Sequence, residues 1–232
     1  MKDVIVALDF PGCEETLKFL SLFGEERPWV KIGMELFYKE GPDMVRRIKD
    51  MGCHVFLDLK LHDIPNTVKR AMRSLANLGV EMTNVHASGT RAMMEAALEG
   101  LTPDQGERAR LLAVTQLTST SEEVMQKELL ISASMPDTVA SYARNAQAAG
   151  LDGVVCSPLE AKLVKENCGA AFWTVTPGIR FADSKKDDQS RIMTPDKAFD
   201  SDFIVVGRPI TAAEDPLAAY RRCVKDFAST AK

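Results

Sequence analysis

The sequence predicts an α/β fold, a (β/α)8 barrel, on three observations. Short apolar segments rich in β-branched residues alternate with amphipathic helical stretches, and eight of each can be read. The 232 residues fit one such barrel, spanning 1–232 as a single domain. Polar side chains collect at the C-terminal ends of the strands, where barrels of this kind carry their chemistry. A doubly wound open sheet is the structural alternative. It would normally carry a Gly-rich turn after its first strand, and Leu8-Asp9-Phe10-Pro11-Gly12 is not a GxGxxG.

In chain order, strands are expected near 3–9, 29–34, 54–60, 81–86, 110–116, 152–156, 171–176 and 202–206. Helical patterns fall between them, near 13–23, 36–51, 65–78, 89–99, 121–149 with a break at Pro136, 158–167, 194–199 and 209–229. The first strand ends at Asp9, the second carries Lys31, the third Asp58 and Lys60, and the fourth His86. Thr118 and Ser119 follow the fifth, Ser157 the sixth, Arg180 the seventh and Arg208 the eighth. One polar strand end means little; ten converging on one mouth is a stronger signal. His86 reads more readily as a wall residue than as a reacting group, and His54 and His62 as structural.

The third strand and its loop, HVFLDLKLHDIPNT from His54 to Thr67, concentrate the charge. Side chains alternate faces along a strand, so Asp58 and Lys60 should point the same way, with alpha carbons about 6.5–7 Å apart. Asp63 lies just past the strand, and Pro65 suits the first turn of the next helix. Asp63 could equally cap that helix, and Asp58 with Lys60 could be an ordinary ion pair. The apolar VFLDL setting argues otherwise, because buried charge is costly unless paired and used.

An anion site is expected at the seventh and eighth strands. In TPGIR, Thr176 to Arg180, Gly178 would let backbone approach an anion closely. In VGRPI, Gly207 and Arg208 precede Pro209, a good first helical residue, and a helix N-terminus favours phosphate. Loops after strands 7 and 8 are the usual phosphate site of such barrels. Residues 180–193 are polar with little secondary-structure signal, which fits a lid from which Gln189 could reach a ligand.

Composition narrows the function classes. Apolar residues make up 45% and charged residues 27%, as in ordinary globular proteins. A net charge of −4 gives no support to a nucleic-acid or membrane surface. The apolar run VIVAL is too short for a signal peptide or a span. Cys13, Cys53, Cys156, Cys168 and Cys223 are odd in number and scattered, which suggests free thiols in a reducing cytoplasm. No HExxH or CxxC spacing is present, so no built-in metal site is expected.

The motifs, taken together, resemble those of bacterial orotidine 5′-monophosphate decarboxylases. DLKLHDIPNT is the most specific, supported by ALD, KIGMELF, NVHA, LTS, TPGIR and VGRP in the same order along essentially the whole chain. No departure is found at a position that the family uses. The resemblance implies cofactor-free and metal-free decarboxylation of orotidine monophosphate to uridine monophosphate, the last step of pyrimidine nucleotide synthesis, by a homodimer. It further implies that Asp9 and Lys31 hold the ribose hydroxyls, and that Asp58 faces the substrate carboxylate. Lys60 would stabilise the emerging carbanion and protonate carbon 6. Asp63 and Thr67 would reach the partner's site, and Thr118 and Ser119 would contact the pyrimidine. Arg180, Gln189, Gly207 and Arg208 would bind phosphate, with Pro177 on the wall near the base. The chemistry suits the residues: losing carbon dioxide from an sp2 carbon leaves a localised charge, which a fixed ammonium in a dry site stabilises better than water. Two alternatives stand beside it. One is a magnesium-dependent sugar-phosphate lyase with a similar D-x-K-x-x-D motif; the other is a non-catalytic sensor of nucleotide phosphates.

Overall fold

A computed structural model describes residues 2–182 and 193–230. The strands are β1 (Asp3–Ala7), β2 (Trp29–Gly33), β3 (His54–Leu61), β4 (Met82–His86), β5 (Arg110–Val114), β6 (Gly153–Val155), β7 (Trp173–Thr176) and β8 (Phe203–Val206). All pair in parallel in chain order, and β8 returns to β1 to close the barrel. Each of the eight expected strands is present, most of them a residue or two shorter than the apolar pattern.

The helices are α1 (Cys13–Ser21), α2 (Met34–Glu40), α3 (Pro42–Asp50), α4 (Pro65–Ala76), α5 (Thr90–Leu101), α6 (Glu122–Glu128), α7 (Met135–Ala148), α8 (Ala161–Cys168), α9 (Arg208–Thr211) and α10 (Pro216–Ala228). Several depart from the pattern. The stretch 36–51 is two helices, because Gly41 takes φ +71° and Pro42 starts a new first turn. The stretch 121–149 breaks before Pro136, with Leu130 at φ +57° and Ser134 capping α7 by accepting from the Asp137 amide. Pro136 therefore sits in a first turn, where its missing N–H costs nothing. Residues 194–199 supply only one 3-10 turn, Pro195–Lys197. The stretch 209–229 splits into α9 and α10, the latter capped by Asp215 through the Ala218 amide.

Alternation along the strands sorts side chains into two cores. Val4, Val6, Ile32, Val55, Leu57, Ile204 and Val206 face the helices. Ile5, Ala7, Phe56, Met82, Leu112, Val175, Phe203 and Val205 fill the barrel interior. At the N-terminal end of the barrel, Phe203 meets Trp29 and Trp173 with ring centroids 5.2 and 5.3 Å away. Burying each such large side chain stabilises the fold by roughly 1.5–3 kcal/mol. Above this filling the inward positions turn polar, at Lys31, Asp58 and Asn84. Among the described residues, no helix is long and apolar enough to cross a membrane.

Candidate active site

The inward rows that begin with Ala7, Trp29, Phe56 and Met82 continue upward as Asp9, Lys31, Asp58 and Asn84. Ions therefore stand directly on the apolar plug. Lys31 Nζ lies 3.0 Å from Asp9 Oδ1 and 3.5 Å from Asp58 Oδ2, and Lys60 Nζ lies 2.7 Å from Asp58 Oδ1. The result is a row of alternating sign, Asp9–Lys31–Asp58–Lys60. Gly33 leaves room for it: a Cβ there would stand 3.0 Å from Lys31 Nζ and 3.4 Å from Asp9 Oδ1.

Asp58 and Lys60 do meet, but not through a regular strand. Leu57 pairs with Thr83 and Leu61 with Val85, so β3 takes four steps where β4 takes two. Lys60 adopts φ +51°, a left-handed conformation that costs a non-glycine residue about 1–3 kcal/mol. Its amide leaves the ladder and donates to Asn84 Oδ1 at 2.8 Å, while Asn84 Nδ2 donates to Asp58 Oδ1 at 2.7 Å. Asn84 was not singled out by sequence reasoning. The signal was there: an asparagine inside a buried strand, MTNVH, needs hydrogen-bond partners.

Burial works against the charged form of Asp58, but Lys31, Lys60 and the Asn84 hydrogen bond outweigh it and hold its carboxyl below the usual range. Burial likewise opposes the charge of Lys31, and Asp58 and Asp9 overcome it, raising its pKa. Lys31 and Asp58 therefore both carry their charge near neutrality. His86 is half-buried beside it, with its ring 5.6 Å from that of His62. Burial, His62 and Lys60 lower its pKa, so it is a neutral wall group at pH 7.

Two joined cavities open on this row. One, about 320 Å3, is lined by Asp9, Lys31, Asp58, Lys60, Thr118, Ser119 and Pro177, together with Phe56, Gln116 and Cys156. The other, about 330 Å3, is lined by Asp9, Lys31, Pro177, Gly178, Arg180, Gly207 and Arg208. Asp9, Lys31, Pro177 and Val205 belong to both, so they form the neck. Gly178 takes φ +85°, which places TPGIR against the second cavity. Arg180 is buried, and its Nη1 donates to the Ile179 carbonyl at 2.9 Å. Helix α9, which Arg208 begins, is one turn long. The macrodipole anticipated there is correspondingly small.

Other expected residues lie elsewhere. Ser157 is fully buried in a turn, where its amide donates to Glu160 Oε2 and its hydroxyl accepts from Leu159; Cys156 lines the cavity instead. The strand β6 ends at Val155, so alternation no longer governs which of the two faces inward. Asp63 and Thr67 are exposed outside both cavities. Asp63 Oδ1 accepts from the Ile64 amide at 2.6 Å, and α4 carries no side-chain cap. Gln189 and most of the 180–193 loop lie outside the described residues. A larger groove, about 940 Å3, lies away from this chemistry against Arg73, Glu95, Glu99 and Asp104, whose exposed charges are of mixed sign.

Fold and site define a class: a (β/α)8-barrel enzyme with alternating ammonium and carboxylate groups gathered at its mouth beside a recess lined by two arginines. Residues 2–223 match the model of the orotidine 5′-phosphate decarboxylase / HUMPS family. An orotidine 5′-phosphate decarboxylase of Geobacillus thermodenitrificans is 58% identical over 223 residues, covering 94% of this chain and 93% of that protein. One from Bacillus caldolyticus is 57% identical, covering 94% and 91%. The crystal structure of orotidine 5′-phosphate decarboxylase from Lactobacillus acidophilus superposes with a TM-score of 0.87 at 45% identity, covering 98% of this chain and 99% of that one. The chain belongs to the orotidine 5′-phosphate decarboxylase family.

Proposed function

We propose that this chain decarboxylates orotidine 5′-monophosphate to uridine 5′-monophosphate, the last step of pyrimidine nucleotide synthesis. Beyond family membership, one observation carries the reading: the order of chemistry along the joined cavities is that of the nucleotide. The first cavity, with Lys60, Asp58, Thr118, Ser119 and Pro177, takes the base. Asp9 and Lys31 at the neck take the ribose hydroxyls. The second cavity, with Arg180, Gly207 and Arg208, takes the phosphate.

In the reaction the bond from carbon 6 to the carboxylate breaks and its electron pair stays on carbon 6. The Lys60 ammonium stabilises that pair and then transfers a proton to it, regaining one from solvent. Lys31 and Asp58 hold Lys60 in place through the ionic row, so its charge is oriented before reaction begins. In this reading Asp58, which lines the same cavity as Lys60, faces the departing carboxylate. Asp9 and Asp58 already have ammonium partners, which leaves them poorly placed to serve as magnesium ligands. No cofactor is needed for the steps these residues perform.

The acting unit is a homodimer in which Asp63 and Thr67 complete the partner's site. Asp63 is exposed, makes no contact with its own chain's Lys60, and stands next to Ile64, which is 66% exposed. Met34 and Tyr38, on the helix α2 that follows the neighbouring strand β2, are also exposed, as an apolar rim awaiting a second copy would be. Residues 1–232 act as one barrel domain, since the pairing of β1 with β8 closes the ring across nearly the whole chain. All five cysteines are free thiols, which suits a reducing cytoplasm.

The test is direct. The ultraviolet absorbance of orotidine monophosphate should fall on mixing with purified protein, uridine monophosphate should appear, and a chelator should leave the rate unchanged. Binding without turnover would make the protein a sensor; turnover lost on chelation and restored by magnesium would make it a metal-dependent lyase.

A further inference from the structure

Asn84 has no part in the roles given so far, yet it is the single β4 residue opposite the excursion of β3 between Leu57 and Leu61. We propose that Asn84 is a positioning residue for the decarboxylation, fixing Lys60 and Asp58 in one geometry through the two ends of its side-chain amide. This rests on the reading of Lys60 as the proton donor.

Three features of the structure carry it. Asn84 is completely buried, so neither end of its amide has water as a substitute partner. Its orientation is forced. The Lys60 N–H can only donate and the Asp58 carboxylate can only accept, so Oδ1 must face Lys60 and Nδ2 must face Asp58. Finally, the Lys60 amide has left the strand ladder, and the Asn84 oxygen replaces the β4 carbonyl it would otherwise meet. The left-handed backbone at Lys60 is thereby held, and that backbone sets where the ammonium stands. The same side chain fixes the Asp58 oxygen that Lys60 Nζ touches at 2.7 Å. A leucine would fill space but offer neither bond, an alanine would offer neither bond and leave a void, and serine is too short to span both.

The decisive comparison uses four variants of the full chain. Asn84→Ala should lower kcat on orotidine monophosphate about a hundredfold, as a misplacement near 1 Å does, with little change in the binding of uridine monophosphate. Thr83→Val is the structural control: buried on the same strand, Thr83 bonds the Leu57 carbonyl at 3.0 Å and lines neither of the two joined cavities. It should lose stability and keep kcat. Asn84→Asp preserves shape, so it covers the case in which the alanine variant does not fold. Its introduced carboxyl can donate to Asp58 only when protonated, and burial beside a carboxylate raises its pKa. Its activity relative to wild type should therefore rise as pH is lowered from about 8 to about 6. An Asn84→Ala protein with normal kcat, a parallel loss of kcat and product binding, or a deficit in Asn84→Asp that ignores pH would each overturn the inference. Lys60→Ala, run alongside, separates the two claims. If it keeps turnover, the reading of Lys60 fails and the role of Asn84 falls with it. If it loses turnover while the Asn84 variants do not, only the inference about Asn84 fails.

Discussion

Asp63 is three residues from Lys60 in sequence, yet it contributes nothing to that lysine's ionic row and bonds only its neighbour's amide. If it serves the partner's site, the contact is reciprocal in a two-fold dimer, and each site takes Lys60 from one chain and Asp63 from the other. Lys60→Ala and Asp63→Ala proteins, each poorly active alone, are unfolded together in equal amounts and refolded. Random pairing makes about half the dimers mixed. In a mixed dimer one site collects both defects and the other neither, so about a quarter of wild-type activity should return. The assay is the loss of orotidine monophosphate absorbance, with dimer composition checked by mass. Mixed dimers that restore nothing would show that Asp63 serves its own chain or no site, and the shared-site proposal would be wrong.

Two further outcomes are expected. Arg208→Ala should reduce kcat/KM on the nucleotide about a hundredfold while scarcely touching the nucleoside orotidine, because a remote phosphate contact contributes to lowering the barrier; equal losses on both would make the arginine structural. Asp152→Ala should destabilise the protein by about 3 kcal/mol in urea titration, since that largely buried carboxylate accepts from Arg108 at 2.5 and 3.1 Å, Arg110 at 3.0 Å and the Leu111 amide at 2.8 Å. Burial alone would raise the Asp152 pKa, but these donors, Arg108 foremost, lower it. Its contribution is then complete above the ordinary carboxylate range and fades as pH falls below that range through the folded value, so variant and wild type should converge in acid.

The barrel was legible because each strand is a compact apolar run ending in a polar residue, and parallel strands buried on both faces leave that mark. Helix boundaries were less so. The break at Gly41 is written as Gly-Pro, but the pattern on either side continues without a change of phase. At 129–134 the chain turns through Leu130, a residue type that gives no hint of a left-handed backbone. In the site, Lys31 and Asp58 could be placed by counting inward rows, because both lie inside their strands. Asp9 lies two residues past the end of β1, where alternation no longer fixes direction, and it lines the cavity all the same. Lys60 could be named from its motif, but not its geometry: alternation carries no information once β3 leaves register, and what holds it there is Asn84 on another strand. Ser157 failed for the same reason, since β6 stops two residues before it.

The central claim is that the Lys60 ammonium, held by Asp58 at 2.7 Å, stabilises and protonates the carbanion. Its most direct test is kcat on orotidine monophosphate for Lys60→Ala, with folding verified by circular dichroism and phosphate-end binding by uridine monophosphate. Removing one oriented charge of this kind costs at least about 3–4 kcal/mol, a hundredfold to a thousandfold or more in rate. A folded, nucleotide-binding variant with turnover reduced to that extent is the expected result; one that keeps a third of wild-type turnover would contradict it.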